Sequence, residues 1–402
     1  MNEKQKIAWF VLTIAAGSFA FTSGIRAMVG ILIPLIERDL GHTRAALSSV
    51  ASAALFLYAF AQPIVGWAVQ RYGSRRLIFI GILLIIISGI GMVWASSLAA
   101  LHVFLGIIPM LGFSAAGLIP ATVLAAHWFG ARQGMATGVV VAALPGGQAL
   151  FAALAAVLLL HLPWRESYFI LTVAPALVLL LLALFFLQDR PAPLASASKP
   201  APAAPIRLVA ASRNFWLLAI GYVACGVTDQ IMLVHLVAFL TGQGYSPARG
   251  SGMFSLLSLA GIVGAVLVGL LVDQFEARHI LAFVYALRLA SYPFLFLFAG
   301  THLELHLIFF AVLFGLTFIG NLPPASVFIR QAHGPASLGP IMGWLSMAHH
   351  VGGAAGVLVA GILYERWGGY NASFIGSMAL LSIAVLASLQ LPKKVAAYAP
   401  QP

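Results

Sequence analysis

Apolar residues along this chain fall into long runs separated by short polar or glycine-bearing stretches. A helix needs about 20 consecutive apolar residues to cross a bilayer core. Twelve such runs can be laid out, at about 7–36, 45–69, 77–95, 101–126, 134–160, 167–187, 214–240, 250–272, 280–299, 306–329, 341–364 and 372–391, numbered spans 1 to 12. A membrane β-barrel would instead show segments of about 10 residues with alternating polarity, and that alternation is absent. The pattern predicts an all-α membrane protein with 12 transmembrane helices.

The pattern breaks once. Residues 189–213 hold five prolines and five charges, a composition that cannot bury a core and reads as a hydrated linker. It divides the chain into an N-terminal six-helix bundle (1–188), a linker (189–213) and a C-terminal six-helix bundle (214–402). Composition agrees: 62% of residues are hydrophobic and 8% charged, too little charge for a soluble surface of this size. The first run is longer than a signal-peptide core and lacks a small-residue cleavage site, so it is read as a retained helix.

The net charge of +11 has two explanations, nucleic acid or membrane topology. No clustered basic domain is present, so nucleic acid is not expected as a partner. The Lys and Arg residues sit in short loops. Fourteen fall in the N-terminus, the linker, the tail and the loops on that side; five fall in the opposite loops (Arg38, Arg44, Arg165, Arg249, Arg366). By the positive-inside rule, both termini and the linker are cytoplasmic and the protein lies in the inner membrane. The single cysteine, Cys225, offers neither an intrachain disulfide nor a metal constellation and reads as a small buried residue.

An internal repeat orders the rest. Gly66–Arg76 (GWAVQRYGSRR) is echoed 203 residues later by Gly269–His279 (GLLVDQFEARH). The same offset carries Gly41-His42-Thr43 onto Gly244-Tyr245-Ser246 and Arg75 onto Arg278. Each half therefore has six spans running in the same directions, a parallel repeat typical of transporters. The offset also carries Arg26, the one charge in span 1, onto Asp229, the one charge in span 7. Opposite charges at matching positions are the strongest pointer to a site in the sequence.

At this point the chain resembles the major facilitator superfamily. Its loop signature, G-x-x-x-D-R-x-G-x-R-R, is matched by Gly66, Arg71, Gly73, Arg75 and Arg76, with Gln70 in place of the acid; the second copy keeps Gly269, the acid Asp273 and Arg278. The resemblance implies two six-helix bundles related by a parallel pseudo-two-fold, and loop acids that help latch the cytoplasmic side. His127-Trp128-Phe129 followed by Arg132-Gln133-Gly134-Met135-Ala136-Thr137-Gly138 is similar to a pattern in the monocarboxylate and oxalate/formate porters, and Gly24-Ile25-Arg26 lies near the place where monocarboxylate porters carry a basic residue. Those porters often have an Asp-x-x-x-Arg pair in span 8, which residues 261–265 lack.

The candidate residues follow. Arg26 costs about 2.5–3.5 kcal/mol at the centre of a membrane helix, and its planar fork suits a carboxylate; a structural pair with Asp229 is the other reading. Asp229 is the candidate proton carrier, with His235 as a second titratable group. Tyr58, Gln62, Gln148, Asn321 and His349 are neutral or titratable groups able to orient substrate, and only one of His349 and His350 can face a given direction. The resemblance implies that span 9 is peripheral, away from the site, so Arg288 is expected to snorkel or to bond between helices. Stripes at Gly134-Gly138-Ala142-Gly146, Gly261-Ala265-Gly269 and Gly352-Gly356-Ala360 let helices approach closely, and Pro145 and Pro323-Pro324 mark kinks.

No metalloprotease, phosphate-loop or serine-hydrolase signature occurs. The reading is a monomeric secondary transporter without cofactor or metal, not an enzyme, working by alternating access. Its leading substrate is a small organic anion, a monocarboxylate first, moved with protons. The alternative is proton-driven efflux of a drug-like or cationic compound, with Asp229 as attractor.

Overall fold

The computed structural model describes residues 3–42, 44–189, 206–245, 247–296 and 305–393. Of the linker expected at 189–213, residues 190–205 lie outside the described residues. All secondary structure among the described residues is helical. Lipid offers peptide groups no hydrogen-bond partner, so each crossing must satisfy them internally. Ten stretches are long and apolar enough to cross a membrane. One of these, Leu98–Leu159, is interrupted at Gly130, whose φ is +45°, and supplies two spans. Adding Ala277–Phe296 gives twelve among the described residues.

Most spans are single helices: Glu3–Leu40, Arg44–Tyr72, Ser74–Trp94, Gln133–Leu159, Trp164–Phe186, Arg213–Gly242, Pro247–Val272, Ala277–Phe296, Leu338–Trp367 and Asn371–Leu389. Pro145 is accommodated inside Gln133–Leu159 without ending it. Spans 4 and 10 are broken. Span 4 passes through a π-helical stretch, His102–Ile107, and stops at Ala116-Gly117 before resuming as Leu118–Phe129. Span 10 stops at Thr317 and resumes at Leu322. Gly117 and Pro120 are related to Gly320 and Pro323 by the offset of 203. Each proline falls in the first turn of the resumed helix, where its missing N–H costs nothing.

The chain divides into two compact units, residues 1–130 with 143–200 and residues 131–142 with 201–402. The start of span 5 therefore belongs with the second unit and the remainder with the first.

Within the first unit, spans 1 and 5 meet at glycine: a Cβ on Gly147 would strike the carbonyl of Ala20. Within the second, spans 7 and 11 do the same, with Gly352 against Val223 and Gly226 against His349. Ala20 and Val223 are 203 residues apart, so the repeat governs packing as well as sequence. The small-residue stripes of spans 5 and 8 also meet inside the second unit. A Cβ on Gly134 would lie 2.5 Å from the Gly269 carbonyl oxygen, and one on Gly138 would overlap the Ala265 carbonyl. Such contact between backbones is the main source of helix association in lipid, where the hydrophobic effect is absent.

Gly138→Ala is therefore expected to lower stability by about 1–3 kcal/mol through overpacking. Gly146→Ala, at the far end of the same stripe with open space around it, should not. Thermal unfolding of the two variants in detergent micelles checks the contrast.

Candidate functional site

The intramembrane charges are treated very differently in the two units. In the first, Arg26 is half-buried on the helix Glu3–Leu40. Its guanidinium lies over the ring of Tyr58, 4.8 Å from the centroid. Among the described residues of its unit it has no ion-pair partner. A cation–π contact contributes about 0.5–2 kcal/mol, less than the insertion cost of the arginine. Gln62 lies one turn beyond Tyr58 and is buried; its amide donates to the Tyr58 carbonyl (3.0 Å) and to Ser114 Oγ (3.2 Å). Gln62 thus ties span 2 to span 4 and has little freedom to orient a substrate. Gln148 is half-buried next to the Gly147 crossing, and its side chain makes no hydrogen bond among the described residues.

In the second unit the acid is already paired. Asp229 Oδ1 accepts from Arg288 Nη1 at 2.7 Å, and both side chains are buried. The same guanidinium donates to Thr228 Oγ1 (3.0 Å), Thr317 Oγ1 (3.4 Å) and the carbonyls of Thr317 and Phe318, and Nη1 lies 3.2 Å from Cys225 Sγ. The Cys225 thiol lies 3.1 Å from Asp229 Oδ2 and 3.4 Å from Asn321 Oδ1. Arg288 is fully buried (0% exposed). The snorkelling alternative is thereby corrected: the side chain turns into the unit, bonding between helices. The reason is the break in span 10. At the end of this interrupted helix the Thr317 carbonyl accepts the Gly320 N–H (3.1 Å), and the Phe318 carbonyl has no backbone donor among the described residues. A guanidinium has five N–H groups to offer, and Asp229 neutralises the charge that comes with them.

The titratable groups of spans 7 and 11 are also engaged. Cys225, Asp229 and His349 present ligand atoms within 4.8 Å of one another, yet the set does not fit a metal ion. Arg288 already holds the carboxylate and touches the sulfur, placing a positive charge where the ion would lie. The rings of His349 and His350 are 5.1 Å apart and inclined by 72°, so they point differently, and His350 Nδ1 donates to the Ser346 carbonyl (2.7 Å). His235 lies 3.4 Å from the Val357 carbonyl through Nε2 and 3.1 Å from the Tyr370 hydroxyl through Nδ1. One neutral tautomer satisfies both contacts.

The repeated loops are anchored in parallel ways. Asp273 accepts from the backbone N–H groups of Gly134 (2.7 Å) and Met135 (2.8 Å), at the start of span 5. A carboxylate is favoured there by orphan donors and by the helix dipole. Gln70, its counterpart, makes no hydrogen bond among the described residues. Arg75 donates to the Leu184 carbonyl at the end of span 6, and Arg278 donates to the Leu391 carbonyl beyond span 12 (3.4 Å). Gly73 has φ +85°, a conformation reserved for glycine. Arg71 stacks on Trp67 and Tyr72, and Arg76 is exposed. Glu276 holds Arg278 at 2.8 Å, and that hydrogen bond keeps its carboxyl below the usual range. The buried roles of Thr228, Thr317 and Cys225 were not readable in advance. The Cys225–Asp229 spacing of one helical turn, with Thr228 beside it, is the available signal.

Twelve apolar helices among the described residues, a repeat of 203 residues and intramembrane charges in both halves describe a multi-pass membrane transporter, not an enzyme. The profile of the Major Facilitator Superfamily matches residues 15–357, and the chain belongs to that superfamily. Among similar proteins, the uncharacterized MFS-type transporter YcxA of Bacillus subtilis is 25% identical, covering 92% of this chain and 91% of its own length. Monocarboxylate transporter 13 of Bos taurus is 25% identical (95% and 89%), and the probable sulfoacetate transporter SauU of Cupriavidus necator is 26% identical (97% and 95%). The fold is similar to that of the proton:xylose symporter XylE, with a TM-score of 0.77 at 14% identity, covering 98% of each chain.

Removing Asp229 alone should be severe. Asp229→Ala leaves the Arg288 guanidinium buried without its counter-charge, a loss of about 3–5 kcal/mol. Asp229→Asn combined with Arg288→Gln should cost less than the sum of the single changes. Melting of the four proteins in detergent measures that coupling, and strict additivity would contradict the pair.

Proposed function

We propose that this transporter moves a small organic anion, with a monocarboxylate as the leading case, across the inner membrane by alternating access and with proton coupling. The protein works as a monomer with both termini and the linker in the cytoplasm. The observation that carries this reading is Arg26, a half-buried cation with a π-face beside it and no acid of its own unit to neutralise it. A bidentate carboxylate is the ligand such a guanidinium recognises best. Tyr58 lies under it, and the half-buried Gln148 is a candidate to orient the substrate. The names of two relatives, a monocarboxylate transporter and a probable sulfoacetate transporter, both denote organic-acid cargo.

Proton coupling is assigned to Asp229, the buried acid of span 7. Its protonation would remove the counter-charge of Arg288 and so alter the contacts that hold the break in span 10. Asn321 and His349 adjoin this group; His235 and Gln62 are engaged in bonds that favour structural roles. The alternative, efflux of a cation attracted by Asp229, is less well supported because Arg288 already occupies that carboxylate.

Small monocarboxylates should raise the melting temperature of the wild-type protein and lose that effect in Arg26→Ala. Stabilisation by organic cations alone would favour efflux. In proteoliposomes, Asp229→Asn should abolish accumulation driven by a pH gradient while leaving exchange at equal pH; unchanged gradient-driven uptake would remove Asp229 from the proton path.

A further inference from the structure

A cavity of about 640 Å³ lies in the first unit, where the loop between spans 2 and 3 meets the end of span 6. Its walls are Tyr72, Gly73, Arg75 and Arg76 of the loop, Phe79 and Ile80 of span 3, and Leu184 and Asp189 of span 6 and its extension. The volume falls in the range of small-molecule sites. The wall is divided by chemistry. Phe79, Ile80 and Leu184 form an apolar side, and Ile80 is 49% and Leu184 43% exposed. On a membrane-spanning protein, exposed apolar side chains of this kind face acyl chains. The other side carries arginines at the end of the spans, the level at which lipid headgroups lie.

Charge selects among headgroups. The cavity wall carries two arginines and one carboxylate, and Arg71, outside the wall, stacks on Tyr72 at 5.7 Å. Asp189 does not cancel them freely. Its Oδ1 accepts the backbone N–H of Arg75 (2.9 Å) in the first turn of span 3, and its carboxylate lies so close to Gly73 that any Cβ there would strike it. It is part of the wall. Arg75 is likewise anchored, donating to the Leu184 carbonyl. Arg76 is exposed and has neither a hydrogen bond nor an ion pair among the described residues. One guanidinium without a partner among the described residues, beside a second arginine and an apolar wall at the membrane boundary, suits a phosphodiester with acyl chains attached.

We propose that this cavity binds the headgroup of an anionic phospholipid from the adjoining leaflet, with Arg76 on the phosphate and the Ile80–Leu184 side against the acyl chains. The site is separate from Arg26 and does not depend on the identity of the transported substrate.

The test uses the full chain, delipidated in detergent, and native mass spectrometry with dioleoylphosphatidylglycerol, dioleoylphosphatidylcholine or inorganic phosphate. Phosphatidylglycerol adducts should survive collisional activation that strips phosphatidylcholine. Arg76→Gln should weaken phosphatidylglycerol binding about fivefold, the contribution of one interfacial basic residue, whereas Arg76→Lys retains most of it. Arg76 is exposed, so the change leaves packing untouched, and melting without lipid verifies the fold. Arg366→Gln, in the last turn of span 11, controls for total charge and should bind as wild type. Equal binding in Arg76→Gln, equal retention of phosphatidylcholine, or inorganic phosphate displacing the lipid as effectively as phosphatidylglycerol itself would each overturn the proposal.

Discussion

A charge in a membrane protein must find its partner inside the protein, and the Asp229–Arg288 pair is where the second unit meets that demand. The guanidinium reaches span 7 through Asp229, Thr228 and Cys225 and span 10 through Thr317 and Phe318, while its own backbone lies in span 9. It therefore fixes three helices at one point. Without it, the Phe318 carbonyl at the break in span 10 would lose its guanidinium donor in a low-dielectric interior, an expensive arrangement. The break is thus permitted by the pair, and the pair is held neutral by its own geometry.

The first unit solves the matching problem differently. Its span 4 is also interrupted, at Gly117, but Arg26 is not drawn in to cover it. The Ser18 hydroxyl donates to the Ala116 carbonyl at 2.7 Å and does that work with a neutral group. Arg26 is consequently left with an aromatic face and no acid. Two halves of common design have distributed their charges unequally, with one charge paired internally and the other without an ion pair among the described residues of its unit. The functional reading grows from this inequality more than from either residue alone.

Much of the architecture was legible in the chain. The long apolar runs gave the span count because lipid imposes one length and one secondary structure on every crossing. The offset of 203 gave the repeat, and it reaches further than the loop motif, to Gly117 and Gly320 at the two helix breaks and to Ala20 and Val223 at the two glycine crossings. The same ruler was less informative about partners. It compares positions between halves, and Arg26 and Asp229 match in that sense, but it carries no information about contacts within a half. Arg288 looked like a peripheral charge because nothing in a run of apolar residues reveals which way a side chain turns. Its direction follows the Phe318 carbonyl, in a break whose bonding needs are invisible until the helix is seen to stop. The loop acids were clearer. The resemblance marked Asp273 as a loop acid without naming its partner, the first turn of span 5, and Gln70 carries no charge with which to repeat the contact.

The central claim is that the uncompensated cation of the first unit is the anion-recognising group of a transporter. Uptake of a labelled small monocarboxylate into proteoliposomes, measured for wild type and for Arg26→Gln, tests it most directly. The account predicts saturable uptake by wild type, inhibited by other small carboxylates and reduced at least tenfold by loss of the guanidinium, the effect of removing about 1.4 kcal/mol of charged hydrogen bonding. Saturable uptake of comparable rate and affinity in Arg26→Gln would contradict it.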